Sequence, residues 1–247
     1  MQGVWRELAG LMLPVDCAGC GRPRTELCVE CRRALARDGR GARRVRPRPR
    51  PAGLPRVWAG APYADEVRAV LLAHKERGAL RLAGPLGAVL AGAVRGLRAV
   101  GGPLLLVPVP SARRSVAGRG HDPVRRIALA AAGELRRAGT GARVLAVLRQ
   151  RRAVADQAGL SARQRLANVA GALEVPGGAR RLLAGQPVVL VDDLVTTGAT
   201  LAEAARAVAA ADGRVIGAAV VAAPSTAFEN EVHRPAGRGK EFPVESS

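Results

Sequence analysis

Apolar positions recur along this chain with two different spacings. Between residues 64 and 98 they fall three and four apart. Val67, Val70, Leu71 and His74 share one helical face, closed by Gly78, and Leu82, Leu86, Leu90 and Leu97 share another. Residues 103–110, PLLLVPVP, form a continuous apolar run suited to a strand buried on both faces. At HDPVRR, Asp122 is placed to cap a helix whose first residue is Pro123. Residues 142–148 then read as a strand. Ser161 and Gln164 have the spacing of a capping box. An apolar strand at 188–191, a helix over 199–211 stopped by Gly213 and a strand over 214–222 complete the series. Strands alternating with helices predict an α/β fold with a parallel sheet flanked by helices.

Three segments depart from this pattern. Residues 1–36 begin with a short amphipathic stretch that lacks the basic start and cleavage site of a secretory leader. Residues 37–57 contain eight arginines and four prolines and are read as an extended linker ahead of a body at 58–223. Residues 224–247 are polar and aperiodic and are read as a disordered tail. No apolar run approaches the roughly 18–20 residues that cross a bilayer, so the expected location is cytoplasmic, with no membrane span. The net charge of +19 comes almost wholly from arginine. A field of that sign attracts phosphate-bearing partners, and a GC-rich coding sequence would raise arginine equally well. Both readings stay open.

All four cysteines lie within fifteen residues, as Cys17, Cys20, Cys28 and Cys31. Each Cys-x2-Cys pair brings two thiolates to one ion, and two pairs complete a tetrahedral Zn2+ shell with no open position. That makes a structural zinc the expected ligand, one that would supply folding free energy to a module too small for a core of its own.

The apolar strand at 188–191 runs into Asp192 and Asp193, and Thr196, Thr197, Gly198, Ala199 and Thr200 follow at the start of a helix. A Walker B strand needs a Walker A partner, which the chain lacks, and no G-x-G-x-x-G follows the strand. A helix N-terminus with small residues and hydroxyls suits a phosphate, and adjacent carboxylates suit a vicinal diol. Phosphate at one end and diol at the other describe ribose 5-phosphate.

The stretch VVLVDDLVTTGAT resembles the 5-phosphoribosyl 1-diphosphate (PRPP) motif of type I phosphoribosyltransferases. The resemblance implies that Asp192 and Asp193 hold the ribose hydroxyls, that residues 196–200 hold the 5′-phosphate, and that Mg2+ accompanies the pyrophosphate. The four-cysteine segment, VLLAHKERG with Lys75, VPVPSARRSVAGRGHDPVRRIA, and Gln157, Leu160, Arg165 and Asn168 in DQAGLSARQRLANVAGAL resemble, in the same order, the ComF family of bacterial competence proteins. That family implies a role in DNA uptake, with single-stranded DNA and a helicase-like protein as partners. Arg113, Arg114 and Arg119 are candidate pyrophosphate ligands, since guanidinium forks match phosphate oxygens, and Lys75, late in its helix, is a further candidate beside the reading of a helix-end lysine near the dipole. The family has R-G-F-N-Q where this chain has Arg119-Gly120-His121-Asp122-Pro123, and a capping aspartate there opposes a second phosphate cradle. No general base stands out, so an active transferase on a nucleobase or amine, and a PRPP sensor without turnover, are both kept beside the uptake role.

Overall fold

Strand β7, Pro187–Leu194, is the middle of the molecule, and its side chains alternate between two cores. Val188 and Leu190 belong to one buried cluster, and Val189 and Val191 belong to the other. The same alternation holds in β8, Arg214–Ala223, where Ala218 and Val220 face one way and Ala219 and Val221 the other. A strand buried on both faces needs helices above and below, which is why the run is apolar throughout. The computed structural model describes residues 16–36, 41–97, 102–111, 120–152 and 161–229.

The remaining strands of the main sheet are β1 (Arg43–Val45), β2 (Val57–Pro62), β3 (Leu104–Pro108) and β4 (Ala142–Val144). Their order is β1-β2-β8-β7-β3-β4, parallel throughout except for β1, which pairs antiparallel with β2. A short ribbon pairs β5 (Arg149–Gln150) with β6 (Leu173–Glu174). The helices are α1 (Val29–Ala36), α2 (Asp65–Glu76), α3 (Ala83–Gly96), α4 (Pro123–Arg137), α5 (Ala162–Val169) and α6 (Ala199–Ala209). Helices α1 to α4 supply the cluster on one face of the sheet, and α6 supplies the other. The caps are those expected. The Asp122 carboxylate accepts the Arg125 N–H with Pro123 at the first turn, and Ser161 and Gln164 form a reciprocal capping box.

Three expectations change. The stretch read as a linker includes strand β1 and buries Val45, Pro47, Pro51 and Leu54 against the domain, while Arg46, Arg48 and Arg50 point outward. Its buried positions are spaced unevenly and separated by arginines and prolines, so no period marked it as structure. Residues 225–229, read as the start of a disordered tail, run along the outer edge of β1. The Ala227 carbonyl accepts the Arg46 N–H, and the Glu229 N–H donates to the Arg44 carbonyl. Phe228 lies buried under the Arg43 guanidinium, 4.6 Å from its ring centre. An edge covered in this way is protected from pairing with another chain. The strand expected over 142–148 ends at Val144, because the chain turns at Leu145 and drops Val147 and Leu148 into the core. The N-terminal amphipathic stretch lies outside the described residues.

No described helix is long and apolar enough to cross a membrane.

Candidate ligand site at the acid pair

The connection from β3 leads through α4 to β4 on one side, and that from β7 leads through α6 to β8 on the other. The carboxyl ends of β3 and β7 therefore diverge into opposite crossovers, and this switch point is where open α/β sheets leave a crevice for ligands. Asp192 and Asp193 sit there, next to the end of β3, where the Val109 N–H donates to the Val191 carbonyl.

The two carboxylates are not equivalent. By strand parity Asp193 falls on the face of Val189 and Val191, toward α2, and its side chain is 8% exposed. The Lys75 ammonium, at the end of α2, donates to its Oδ2 at 2.8 Å. Asp192 keeps partial exposure, and its Oδ1 accepts the backbone N–H of Asp193 at 2.8 Å. Burial, and then the charge of Asp193, raise the Asp192 carboxyl well above the usual carboxylate range, partly offset by Lys75. Burial alone would lower the Lys75 ammonium, but the carboxylates around it, Asp193 first, outweigh this and raise it. Lys75 is fixed by its neighbour. His74 is fully buried, with Nδ1 3.2 Å from the Ala79 carbonyl and Nε2 3.4 Å from the Pro123 carbonyl, which ties the end of α2 to the start of α4.

Beyond the acids the chain turns into α6. Gly198 occupies the cap in the left-handed region, at φ 77°. A Cβ there would stand 2.9 Å from Leu54 Cδ2 and 3.5 Å from Pro47 Cγ, so the turn is backed by the arginine-rich segment. Among the described residues no carbonyl accepts from the N–H groups of Thr196, Thr197 or Gly198, and the Ala199 N–H lies 3.4 Å from Thr197 Oγ1. Thr196 is exposed, and Thr197 and Thr200 are half-buried. Among the described residues the result is a helix start whose preceding N–H groups no carbonyl accepts, with exposed or half-buried hydroxyls, a few residues beyond a carboxylate pair.

Arg113, Arg114 and Arg119, with Gln157 and Leu160, lie outside the described residues. Arg113, Arg114 and Arg119 belong to the connection that follows β3 in sequence. Arg165 and Asn168 lie on α5, which packs against α6. Two clefts, of about 320 Å³ between α1, β2 and α3 and about 650 Å³ between residues 52–55, α5 and α6, lie away from the acid pair. The candidate site is thus identified by its chemistry at the strand ends and not by concavity.

Two contacts at and beside this site were not legible from local pattern. One is the Lys75–Asp193 pair, whose partners are 118 residues apart. The other is Glu203, a buried carboxylate on α6 that accepts from the Leu173 N–H at 3.0 Å and from two nitrogens of Arg206 at 2.8 Å. Arg206 in turn donates to the Leu173 carbonyl at 2.9 Å, so the clamp holds the β5–β6 ribbon to the helix that follows the threonine run. Its only signal in the sequence is an acid and an arginine three apart on one helical face.

The four cysteines converge as their spacing implies. All four sulfurs lie within 4.8 Å of one another, with Cys20 and Cys28 at 3.7 Å. Four sulfurs at about 2.3 Å from one zinc stand roughly 3.8 Å apart, so the cluster has the size of a tetrahedral shell. The Cys28 N–H is directed at Cys17 Sγ and the Cys31 N–H at Cys28 Sγ, at 3.3 and 3.4 Å. Burial pushes the Cys17 thiol up, but N–H groups from Cys28, Cys20 and Gly19 outweigh it and bring it down to about 6, whereas burial holds the Cys31 thiol up. The residues present therefore fit a structural zinc.

Residues 127–236 match the phosphoribosyl transferase domain family. No curated protein matches the chain. The mostly parallel sheet flanked by helices and the family match over residues 127–236 give a type I phosphoribosyltransferase domain, preceded by a four-cysteine cluster positioned to bind a metal ion.

Proposed function

We propose that this chain is a ComF-like protein that binds PRPP, or a related ribose 5-phosphate compound, together with Mg2+. In this reading Asp192 and Asp193 accept hydrogen bonds from the ribose hydroxyls. Thr196, Thr197, Gly198, Ala199 and Thr200 surround the 5′-phosphate, and Arg113, Arg114 and Arg119 face the pyrophosphate. Mg2+ would be carried by the pyrophosphate and would neutralise its charge. The observation that carries the reading is the pairing of an acid-tipped strand with a donor-rich helix mouth at one switch point. The test is thermal unfolding with and without PRPP and Mg2+. A ligand at 100 times its Kd stabilises by about 2.7 kcal/mol, which is a rise of roughly 5–10 °C for a domain of this size. Asp192→Asn with Asp193→Asn should abolish the rise, and no shift in the wild type at millimolar PRPP would reject the reading. Release of pyrophosphate on adding nucleobases or amines would assign turnover, and stabilisation without release would assign a sensor.

A role in DNA uptake, with single-stranded DNA and a helicase-like partner, is the second reading. It is favoured by the exposed Arg46, Arg48 and Arg50 on a segment whose apolar residues are buried, with Arg46 also paired to Glu229 and Arg50 donating to the Leu54 carbonyl. Because that segment is part of the domain, substitution and not deletion is the informative test. Arg48→Ser with Arg50→Ser should weaken single-strand binding and flatten its salt dependence by about two counterions. Unchanged binding would remove the segment from the interface.

A further inference from the structure

Lys75 presents a cation to the acid pair from an element that lies far away in sequence. Its ammonium is 2.8 Å from Asp193 Oδ2, and the carboxylate it meets is buried. The placement is braced at both ends of α2. Behind Lys75, His74 is held between the Ala79 and Pro123 carbonyls. At the other end the cysteine cluster packs on the helix start, where a Cβ on Gly19 would stand 2.6 Å from Cys31 Sγ and 3.3 Å from Glu66 Cβ. Glu26, inside the cysteine segment, pairs with Arg81 just beyond the helix. The lysine is therefore not a loosely tethered surface charge that settled on the nearest acid. Its side chain stays 37% exposed, and an ammonium has three donors, of which Asp193 takes one.

Carboxylate oxygens are the common ligands of a divalent ion, which brings charge and orders them, and the acid pair offers such oxygens. Here a compact ammonium already occupies one of the two. A metal ion bridging the pair would have to displace it from a buried carboxylate and leave the ammonium without its partner. We propose that Lys75 is the resident cation of the acid pair. It replaces a protein-bound divalent ion at Asp193, so that a phosphoribosyl ligand needs only the metal ion that travels on its own pyrophosphate. The ligand part of this inference rests on the phosphoribosyl reading, whereas the exclusion of a metal from the free protein does not.

Mn2+ binding followed by electron paramagnetic resonance, on the full zinc-loaded chain without ligand, tests the exclusion directly. The wild type and Lys75→Arg, which keeps the charge, should bind no Mn2+ that depends on Asp193. Lys75→Met and the more polar Lys75→Gln should each gain a site at least about tenfold tighter than any in the wild type. Adding Asp193→Asn to either should remove it. Wild-type Mn2+ binding that Asp193→Asn abolishes would overturn the proposal, as would Lys75→Met and Lys75→Gln proteins that fold yet gain no site. A second arm counts Mg2+ ions taken up with PRPP, with one expected for the wild type and two for Lys75→Gln. A failure to bind PRPP at all would sink the phosphoribosyl reading and leave the result of the ligand-free arm standing.

Discussion

Stripping the metal from the cysteine cluster should lower the melting temperature of the whole molecule, and not only unravel a small appendage. Cys17, Cys28, Cys31, Leu27 and Leu35 belong to the same buried cluster as Val67, Val70 and Leu71 of α2 and Leu86 and Leu90 of α3. A zinc module that small has no core of its own, and metal binding supplies its folding free energy, on the order of 10 kcal/mol at neutral pH in isolated modules. With a metal bound, part of that energy would hold one wall of the main core in place. Cys28→Ser, or treatment with a strong chelator, should cost about 3–5 kcal/mol, which corresponds to roughly 6–20 °C in a domain of this size. Circular dichroism melts, paired with elemental analysis for zinc, check this. An unchanged melting temperature after complete loss of the metal would show that the cluster is packed as an ordinary set of buried thiols.

Gly198→Ala should have the second large effect, and on binding more than on stability. The residue sits at φ 77°, where an L side chain costs roughly 1–2 kcal/mol. The new methyl would also press on Leu54, itself buried. Relief of that contact requires either Leu54 to move or the turn to rotate, and rotation swings the N–H groups of Thr196, Thr197 and Gly198 out of their common mouth. Expected are a loss of about 1–3 kcal/mol in stability and at least a tenfold loss in affinity for a phosphorylated ligand. Gly92→Ala is the internal comparison. It lies half-exposed within α3 with only Arg95 Nη2, at 4.0 Å, near its missing side chain, and there alanine should be neutral or stabilising by up to about 1 kcal/mol. Equal effects at both positions would mean that the turn at Gly198 has no special geometry to lose.

These cases show which features a linear reading can reach. The parallel α/β class and both helix caps were legible because each depends on a few neighbouring residues: an apolar run, Asp122 before Pro123, Ser161 three before Gln164. The cysteine cluster was legible for the same reason, since metal geometry fixes its spacing. The arginine-rich segment was misread because proline and arginine mask a pattern whose meaning is tertiary. Val45, Pro47, Pro51 and Leu54 are buried only because the threonine turn and the sheet edge lie behind them. Residues 225–229 are ordered by partners nearly two hundred positions earlier, which no local period could signal. Lys75 was named as a pyrophosphate candidate from the segment around it. Its pairing with Asp193 emerges only when α2 is folded over the carboxyl end of β7.

That folding also explains why one site can draw on most of the molecule. In the proposed site the switch point would supply the ligand's place, strand parity turns Asp193 toward α2, and the arginine-rich segment backs the glycine turn. The cysteine cluster steadies the start of the helix whose end carries Lys75.

A crystal structure with ribose 5-phosphate bound is the most direct measurement. The phosphate is expected on the Thr196–Thr200 mouth, with the 2′ and 3′ hydroxyls within hydrogen-bond distance of Asp192 and Asp193. A phosphate seated elsewhere, or a sugar whose diol points away from both aspartates, would contradict it.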